Sequence, residues 1–279
     1  MKRKISYFFG NLFGKNYYKI LIYLKLWFSG NQSPVLIWQM GKVGSKTIAD
    51  SLLQSGYQGA IFHKHALSDN LIFSGEGFKR AKSQGNKSYL YNQVLRDVVL
   101  RKDSRWNWKI ISLTREPISR NISAFFQNLD IYFPDYNRND SKYNSQEIIR
   151  VFFQDFTHNR VLDWFDNEIK ALLDLDIYAI PFDKERGYQV YSSDNFSVLV
   201  IKMEKITDVA SEAMCQYLKI DHINLSDSNK SDDKFYSKIY REVKDNILIP
   251  EDYLTTMYES KYCKHFYLNK EIKVFRDKW

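Results

Sequence analysis

The chain has 279 residues, of which 44% are hydrophobic, 16% aromatic and 27% charged. That is enough apolar material for one large α/β domain with additions, or for two small domains, and it excludes wholesale disorder; the 11 Gly and 5 Pro exclude collagen-like and linker-dominated chains. The formal net charge of +8 suits an anionic partner (a nucleotide, nucleic acid, an acidic glycan or a membrane surface) without choosing among them, and a Lys-rich surface accounts for it nearly as well.

Residues 1–33 form a basic and aromatic arm. Lys15, Lys19 and Lys25 interrupt its apolar residues, so it lacks the run of about 18 that a membrane span needs. No small-residue cleavage site follows a clean hydrophobic stretch, so no secretory signal is expected. Lysines beside Tyr, Trp and Phe suit a segment lying on an anionic bilayer; the arm reads equally well as a helix packed on the domain.

Pro34 opens the run Val35, Leu36, Ile37, Trp38, Gln39 and Met40, which has the pattern of a buried strand. Residues 41–47 read as a loop and 48–54 as a short helix stopped by Gly56. Residues 60–63 suggest a second strand. The glycine-bearing stretch 68–87 reads as loop, and 89–102 has helical spacing at Leu90, Val94 and Val98. A third strand over 108–114 runs into Arg115, Glu116 and Pro117, then a helix to about 128, with Pro in the first turn where its missing N–H costs nothing. The polar stretch 130–145 reads as loop, 145–155 and 161–173 as helices, 197–203 as a β-branched strand, 208–218 as a helix and 226–233 as a turn or linker. The remainder reads as helical. Cys215 and Cys263 form no C-x-x-C, so neither a disulfide framework nor a zinc signature is present, and a reducing compartment fits best.

Strands alternating with helices predict an α/β fold: a three-layer, mainly parallel sheet with helices on both faces. It would span residues 34–279, with 221–279 a helical C-terminal extension. In such sheets ligands bind beyond the carboxyl ends of the strands. The loops at 41–47 and 115–123 both lie there.

A strand, a loop with two glycines and a helix make a phosphate cradle, because backbone N–H groups and the positive helix end face the anion. Gly41 and Gly44 allow close approach, Ser45 and Thr47 offer hydroxyls, and Lys42 and Lys46 offer cations. A Walker A loop is a poor match, since aligning its Lys with Lys46 puts Met40 and Ser45 where glycines belong. The loop instead resembles the 5′-phosphosulfate loop of sulfotransferases, K-x-G-[ST]-x, here Lys42, Val43, Gly44, Ser45 and Lys46. The segment from Ile111 to Phe126 resembles their 3′-phosphate motif: a strand ending in Arg-x-Pro, a Ser eight residues after the Arg, then aromatics. Arg115 and Ser123 take those two places, with Ser119 near Ser123 by i, i+4 spacing. The resemblance implies the P-loop-like sulfotransferase fold and the donor 3′-phosphoadenosine 5′-phosphosulfate, with no metal. It implies that Lys42 stabilises charge on the bridging oxygen.

His63 and His65 follow the second strand at i and i+2, so their imidazoles point the same way, and either suits a general base near neutral pH. This H-x-H resembles glycan-type sulfotransferases that modify uronic acids, in which the second histidine, here His65, is the base. Glu116 and Glu76 are the other candidate bases.

The chain also resembles a capsular polysaccharide synthesis family named for an Asn-Lys-Trp-Tyr-Ser motif, read here as Asp233, Lys234, Phe235, Tyr236 and Ser237. Further stretches alike are Trp164 to Ile169, Pro181 to Lys184, and His265 to Tyr267, and the likeness extends over about residues 35–279. Trp164, Phe165 and Tyr236 read first as core or rim aromatics, with sugar stacking the sharper alternative. Together these features predict sulfuryl transfer to a hydroxyl of a surface or capsular glycan. The expected setting is cytoplasmic, with peripheral contact at the inner face of the membrane as an option. No nucleic-acid partner is expected, and the oligomeric state is left open. Two alternatives stand beside this reading. One is a kinase-like enzyme using ATP, with Glu204 as the magnesium carboxylate. The other is a non-catalytic, membrane-associated factor of polysaccharide assembly.

Overall fold

The apolar runs of the sequence become the strands of one sheet. The computed structural model describes residues 2–30, 32–83, 85, 87–101, 106–136, 143–226 and 236–279, with the backbone alone for residues 2–12, 76 and 83. The strands are β1 (Val35–Trp38), β2 (Ile61–Lys64), β3 (Lys109–Thr114), β4 (Tyr188–Ser192) and β5 (Ser197–Lys202), in the order β2-β1-β3-β5-β4. β1 pairs in parallel with β2 and β3, and β3 in parallel with β5; only β4, against β5, is antiparallel. All of β1 and nearly all of β3 and β5 are buried, as parallel strands covered on both faces require.

The order of the strands positions the site. From β1 the chain moves outward to β2, and from β3 it moves the other way to β5. With right-handed crossovers these opposite directions put the two sets of helices on opposite faces. They also make the gap between the carboxyl ends of β1 and β3 a topological switch point, where α/β sheets bind ligands. Helix Ser45–Gln54 packs on β1 and β2, and helix Ile206–Leu218 on β4 and β5.

Several elements differ from expectation. Residues 68–87 hold two helices, Asp69–Ser74 and Glu76–Ser83, divided by Gly75; Ser68 Oγ caps the first by accepting from Leu71 N at 3.3 Å. The glycines there mark a boundary and a helix interior, not a continuous loop. Leu129–Tyr132 is a further short helix inside the stretch read as loop, and 137–142 lies outside the described residues. β4 was not anticipated, because its exposure does not alternate strictly; it is an edge strand folded back by a turn closed by Ser193 N to Phe196 O at 2.8 Å. The helix expected over 161–173 carries a π turn at Asp166–Lys170. Of the linker at 226–233, residues 227–233 lie outside the described residues.

Helix Lys2–Trp27, kinked at Gly14 (φ 59°, ψ −139°), packs on helix Tyr89–Val99 and buries Tyr18, Ile22 and Leu26. Among the described residues no helix is long and apolar enough to cross a membrane. Both thiols are free, Cys263 buried and Cys215 half-buried.

The last four helices, Ser237–Asn246, Glu251–Tyr258, Lys261–Phe266 and Asn269–Asp277, return the chain to the end of β3. Tyr262 OH accepts from Arg115 N and donates to Arg115 O, each at 2.9 Å. Tyr258 OH donates to Glu116 Oε1 at 2.9 Å. Glu116 is buried and is the N-cap of helix Pro117–Gln127, its two oxygens accepting from Ile118 N and Ser119 N at 2.7 Å each. Its lone pairs are therefore committed to holding the helix, which argues against Glu116 as a base. Removing such a cap costs about 2 kcal/mol, so Glu116→Ala is expected to lower the melting temperature by roughly 4–8 °C in a domain of this size. Thermal unfolding followed by circular dichroism checks this.

Candidate functional site

The first loop is built from left-handed residues: Gly41 (φ 81°), Lys42 (φ 64°) and Gly44 (φ 79°). The conformation costs a non-glycine such as Lys42 of order 1 kcal/mol, so surrounding contacts must hold it. Two arginines do so. Arg120, buried in helix Pro117–Gln127, donates from Nη2 to Met40 O at 2.6 Å and from Nε to Gly41 O at 3.2 Å. Arg115, at the end of β3, donates from Nη1 to Lys42 O at 2.9 Å. The loop's carbonyls are thus turned toward guanidinium groups. No side chain caps the following helix Ser45–Gln54, so the positive end of that helix faces the loop. This arrangement fits an anionic group, and the first loop and the end of β3 are held together at the switch point.

The expected residues separate into those that converge and those that do not. A cavity of about 430 Å³ is lined by Gly41, Lys42, His63 and His65, with Arg120. Val43 is buried in the core and can offer only backbone. Ser45 Oγ is buried, 2.9 Å from His63 Nε2 and 2.7 Å from Gln39 Nε2. Thr47 N is bonded to Gly44 O at 3.0 Å. Lys46 points outward and pairs with Asp50 one turn on, so the fold does not bring it to the cavity. Ser119 and the half-buried Ser123 share one helix face, adjoining the one that carries Arg120 toward the cavity. Ser119 Oγ accepts from Lys278 Nζ at 3.0 Å. Arg115 contacts the first loop, whereas Arg115, Ser119 and Ser123 are not among the residues that line the cavity of the histidines. The side chain of Glu76 lies outside the described residues.

The histidines are organised by Gln39, a fully buried side chain at the end of β1. Its Nε2 lies 3.0 Å from His63 Nε2 and 2.8 Å from His65 Nδ1, while its Oε1 accepts from Gly41 N. His65 Nδ1 is also 3.3 Å from Gln39 O, and the two rings are 5.1 Å apart, edge to face. Nδ1 of His65 either accepts from Gln39 Nε2 or donates to Gln39 O, not both; in the second tautomer the two amide N–H groups of Gln39 serve Ser45 Oγ and His63 Nε2, and Nε2 of His65 keeps its lone pair. Nε2 of His63, by contrast, is occupied by Ser45 and Gln39. Burial lowers both histidine pKa values; in His65 the neighbouring His63, Lys64 and Arg120 add to it and the value falls to about 3. Lys64 is itself pushed down to about 8 by burial and by Lys25. Each ring keeps an exposed edge, and both imidazoles are neutral at pH 7.

Behind His65, Trp164 Nε1 donates to His65 O at 2.9 Å. Glu168, fully buried on the π turn, gathers the loop after β2: Oε2 accepts from Trp38 Nε1 at 2.7 Å and Leu67 N at 2.6 Å, and Oε1 from Ser68 N at 3.0 Å and from Ser68 Oγ. Burial raises the Glu168 pKa to about 7 against the pull of these donors. Trp164, Phe165 and Tyr236 are all buried, which makes them core aromatics. Glu204, the candidate magnesium carboxylate, follows β5 and accepts from Glu116 N at 2.7 Å and Tyr267 OH at 3.2 Å. The residues missed from sequence are Gln39, Glu168 and Lys278, and the clamping role of Arg120. Only Gln39 left a local signal, a polar side chain closing an apolar run.

A family described as "Putative capsular polysaccharide synthesis protein" matches residues 138–268, just under half of the chain. That segment is narrower than the likeness read from the sequence; it holds Trp164, Glu168, Glu204 and the tyrosine supports, but neither of the two loops and neither His63 nor His65. Of its naming motif, Asp233, Lys234 and Phe235 lie outside the described residues, and Tyr236 packs on Phe126 at 5.7 Å between ring centres. No curated protein and no solved structure matches the chain.

Two outcomes test this construction. In Glu168→Gln either amide orientation turns an NH₂ toward two donors, a loss of about 1–3 kcal/mol, so a fall in melting temperature of roughly 3–10 °C is expected. His65 is neutral when folded but takes a proton near pH 6.5 when unfolded, so its contribution to stability is present above pH 6.5 and is lost as pH falls toward its folded value of about 3. His65→Gln should therefore lose less stability than the parent between pH 7 and pH 5, measured by chemical denaturation at each pH.

Proposed function

We propose that the chain is a sulfotransferase of the P-loop-like fold, moving a sulfuryl group from 3′-phosphoadenosine 5′-phosphosulfate to a hydroxyl of a surface or capsular glycan. The observation that carries this reading is the joining of two anion-binding loops on adjacent parallel strands, Arg115 Nη1 to Lys42 O at 2.9 Å, beside a neutral histidine pair. The match to a polysaccharide-synthesis family supports a glycan as the acceptor.

In this reading the donor supplies an activated sulfuryl group joined through a bridging oxygen to phosphate. The backbone of residues 41–45, the open helix end and Lys42 hold the 5′ side. Arg115, Ser119 and Ser123 hold the 3′-phosphate, Arg115 being placed by both Tyr262 and the first loop. The acceptor enters the 430 Å³ cavity, where Phe78 and Tyr89 offer ring faces and Asn92 and Arg160 polar groups. His65 Nε2 takes the hydroxyl proton as the acceptor oxygen forms its bond to sulfur and the bond from sulfur to the bridging oxygen breaks. Lys42 offsets the charge left on that oxygen. The Gln39 carbonyl orients His65, and burial, with the neighbouring cations, keeps it unprotonated.

The ATP reading is weakened by Glu204, whose carboxylate is engaged by Glu116 N and Tyr267 OH in supporting the second loop. Adenosine 3′,5′-bisphosphate is expected to raise the melting temperature without magnesium, in proportion to its occupancy. Arg115→Ala should weaken that binding by about tenfold or more, the worth of one charge-assisted contact. His65→Ala should leave nucleotide binding intact and slow transfer to polysaccharide by roughly 10²–10⁴-fold. An Arg115→Ala protein that binds the nucleotide as tightly as the parent sinks the proposal.

A further inference from the structure

Over residues 15–28 the first helix carries two apolar stripes, one packed on the domain and one exposed. Tyr18, Ile22 and Leu26, spaced i, i+4 and i+8, are buried against the domain at 2%, 0% and 1% exposure. On the opposite side Ile20, Leu24, Trp27 and Phe28, spaced i, i+4, i+7 and i+8, stand in solvent at 60%, 47%, 69% and 81% exposure. Phe28 continues the helical turn through its N–H to Leu24 O at 3.0 Å, so it belongs to the same stripe. A row of large apolar side chains along one face, rather than scattered singly, marks an interaction surface.

The charge pattern identifies what covers it. Lys2, Arg3, Lys4, Lys15, Lys19 and Lys25 precede the first acidic residue of the chain, Asp50. Lys25 turns inward to Ile61 O and over the Phe62 ring, while Lys15 and Lys19 are exposed. A second copy of the chain seated on this face would bring together two arms that each carry these six cations and no carboxylate. An anionic bilayer surface satisfies both features: the stripe enters the boundary between headgroups and acyl chains, Trp27 sits at the interface where tryptophan is favoured, and the arm's cations, with no carboxylate among them, draw it to the lipid phosphates. The inner stripe then fixes how the domain stands above that surface.

We infer that the face formed by Ile20, Leu24, Trp27 and Phe28 docks the protein on an anionic membrane surface, through a helix that lies in the interface and does not cross it. This does not depend on the reaction proposed above. The test is co-sedimentation of the full chain with vesicles of phosphatidylcholine alone or mixed with phosphatidylglycerol. Binding should favour the anionic vesicles by about tenfold or more and fall with added salt. Ile20→Ser with Leu24→Ser and Phe28→Ser, and separately Lys15→Glu with Lys19→Glu, should each weaken it by about tenfold or more, with circular dichroism and melting temperature unchanged. Equal or no binding to the two vesicles overturns the inference. So does an apolar-face variant that binds like the parent, or a parent dimer that this variant dissolves.

Discussion

Everything at the site depends on two guanidinium groups accepting responsibility for the carbonyls of one loop. A loop that turns through left-handed conformations at Gly41, Lys42 and Gly44 separates its backbone donors from its acceptors. The acceptors need partners, and the chain supplies them from the end of β3 and the helix that follows: Arg120 for Met40 O and Gly41 O, Arg115 for Lys42 O. The same contacts bring positive charge to the switch point and join the two strand ends. Stabilising the loop and preparing it for an anion are thus one interaction, and this is why the loop after β1 and the end of β3 cannot drift apart without loss of both.

The second loop is rigid because the C-terminal helices reach back to it. Tyr262 brackets Arg115 through both its N–H and its carbonyl, Tyr258 supports the cap residue Glu116, and Tyr267 supports Glu204, which in turn accepts from Glu116 N. A phenol buried in an apolar setting is a firm hydrogen-bonding strut, since burial pushes the Tyr262 and Tyr267 hydroxyls far above the ordinary range and keeps them protonated. The segment matched by the polysaccharide-synthesis family therefore forms the frame of the site, while the groups that would touch ligands come mostly from the first half of the chain. The neutrality of the histidine pair follows first from burial in the cavity wall, to which Lys64 adds for both rings and Arg120 for His65.

What could be read in advance was local. The strand–loop–helix phasing at β1, the Arg-x-Pro turn after β3 and the i, i+2 histidines are each written within a few neighbouring residues, where periodicity, glycine and proline speak directly about backbone conformation. The polar helices Asp69–Ser74 and Glu76–Ser83 and the edge strand β4 were missed because their patterns are weak and their stability comes from packing. Lys46 shows the limit from the other side: it lies beside the first loop in sequence, yet helical geometry turns it away to Asp50.

By itself the sequence determined the alternation of strands and helices, the place of both loops at strand ends and the excess of positive charge. Only the tertiary structure decided that Gln39 yokes the two histidines, that Arg120 clamps the first loop, that Glu168 gathers the loop after β2, and that Lys278 reaches Ser119. It also decided that the arm uses one apolar stripe and leaves the other in solvent. The reason is physical: a backbone conformation is chosen by a residue and its immediate neighbours, whereas the partner of a buried polar group is chosen by which distant segment the closed chain brings within hydrogen-bonding distance.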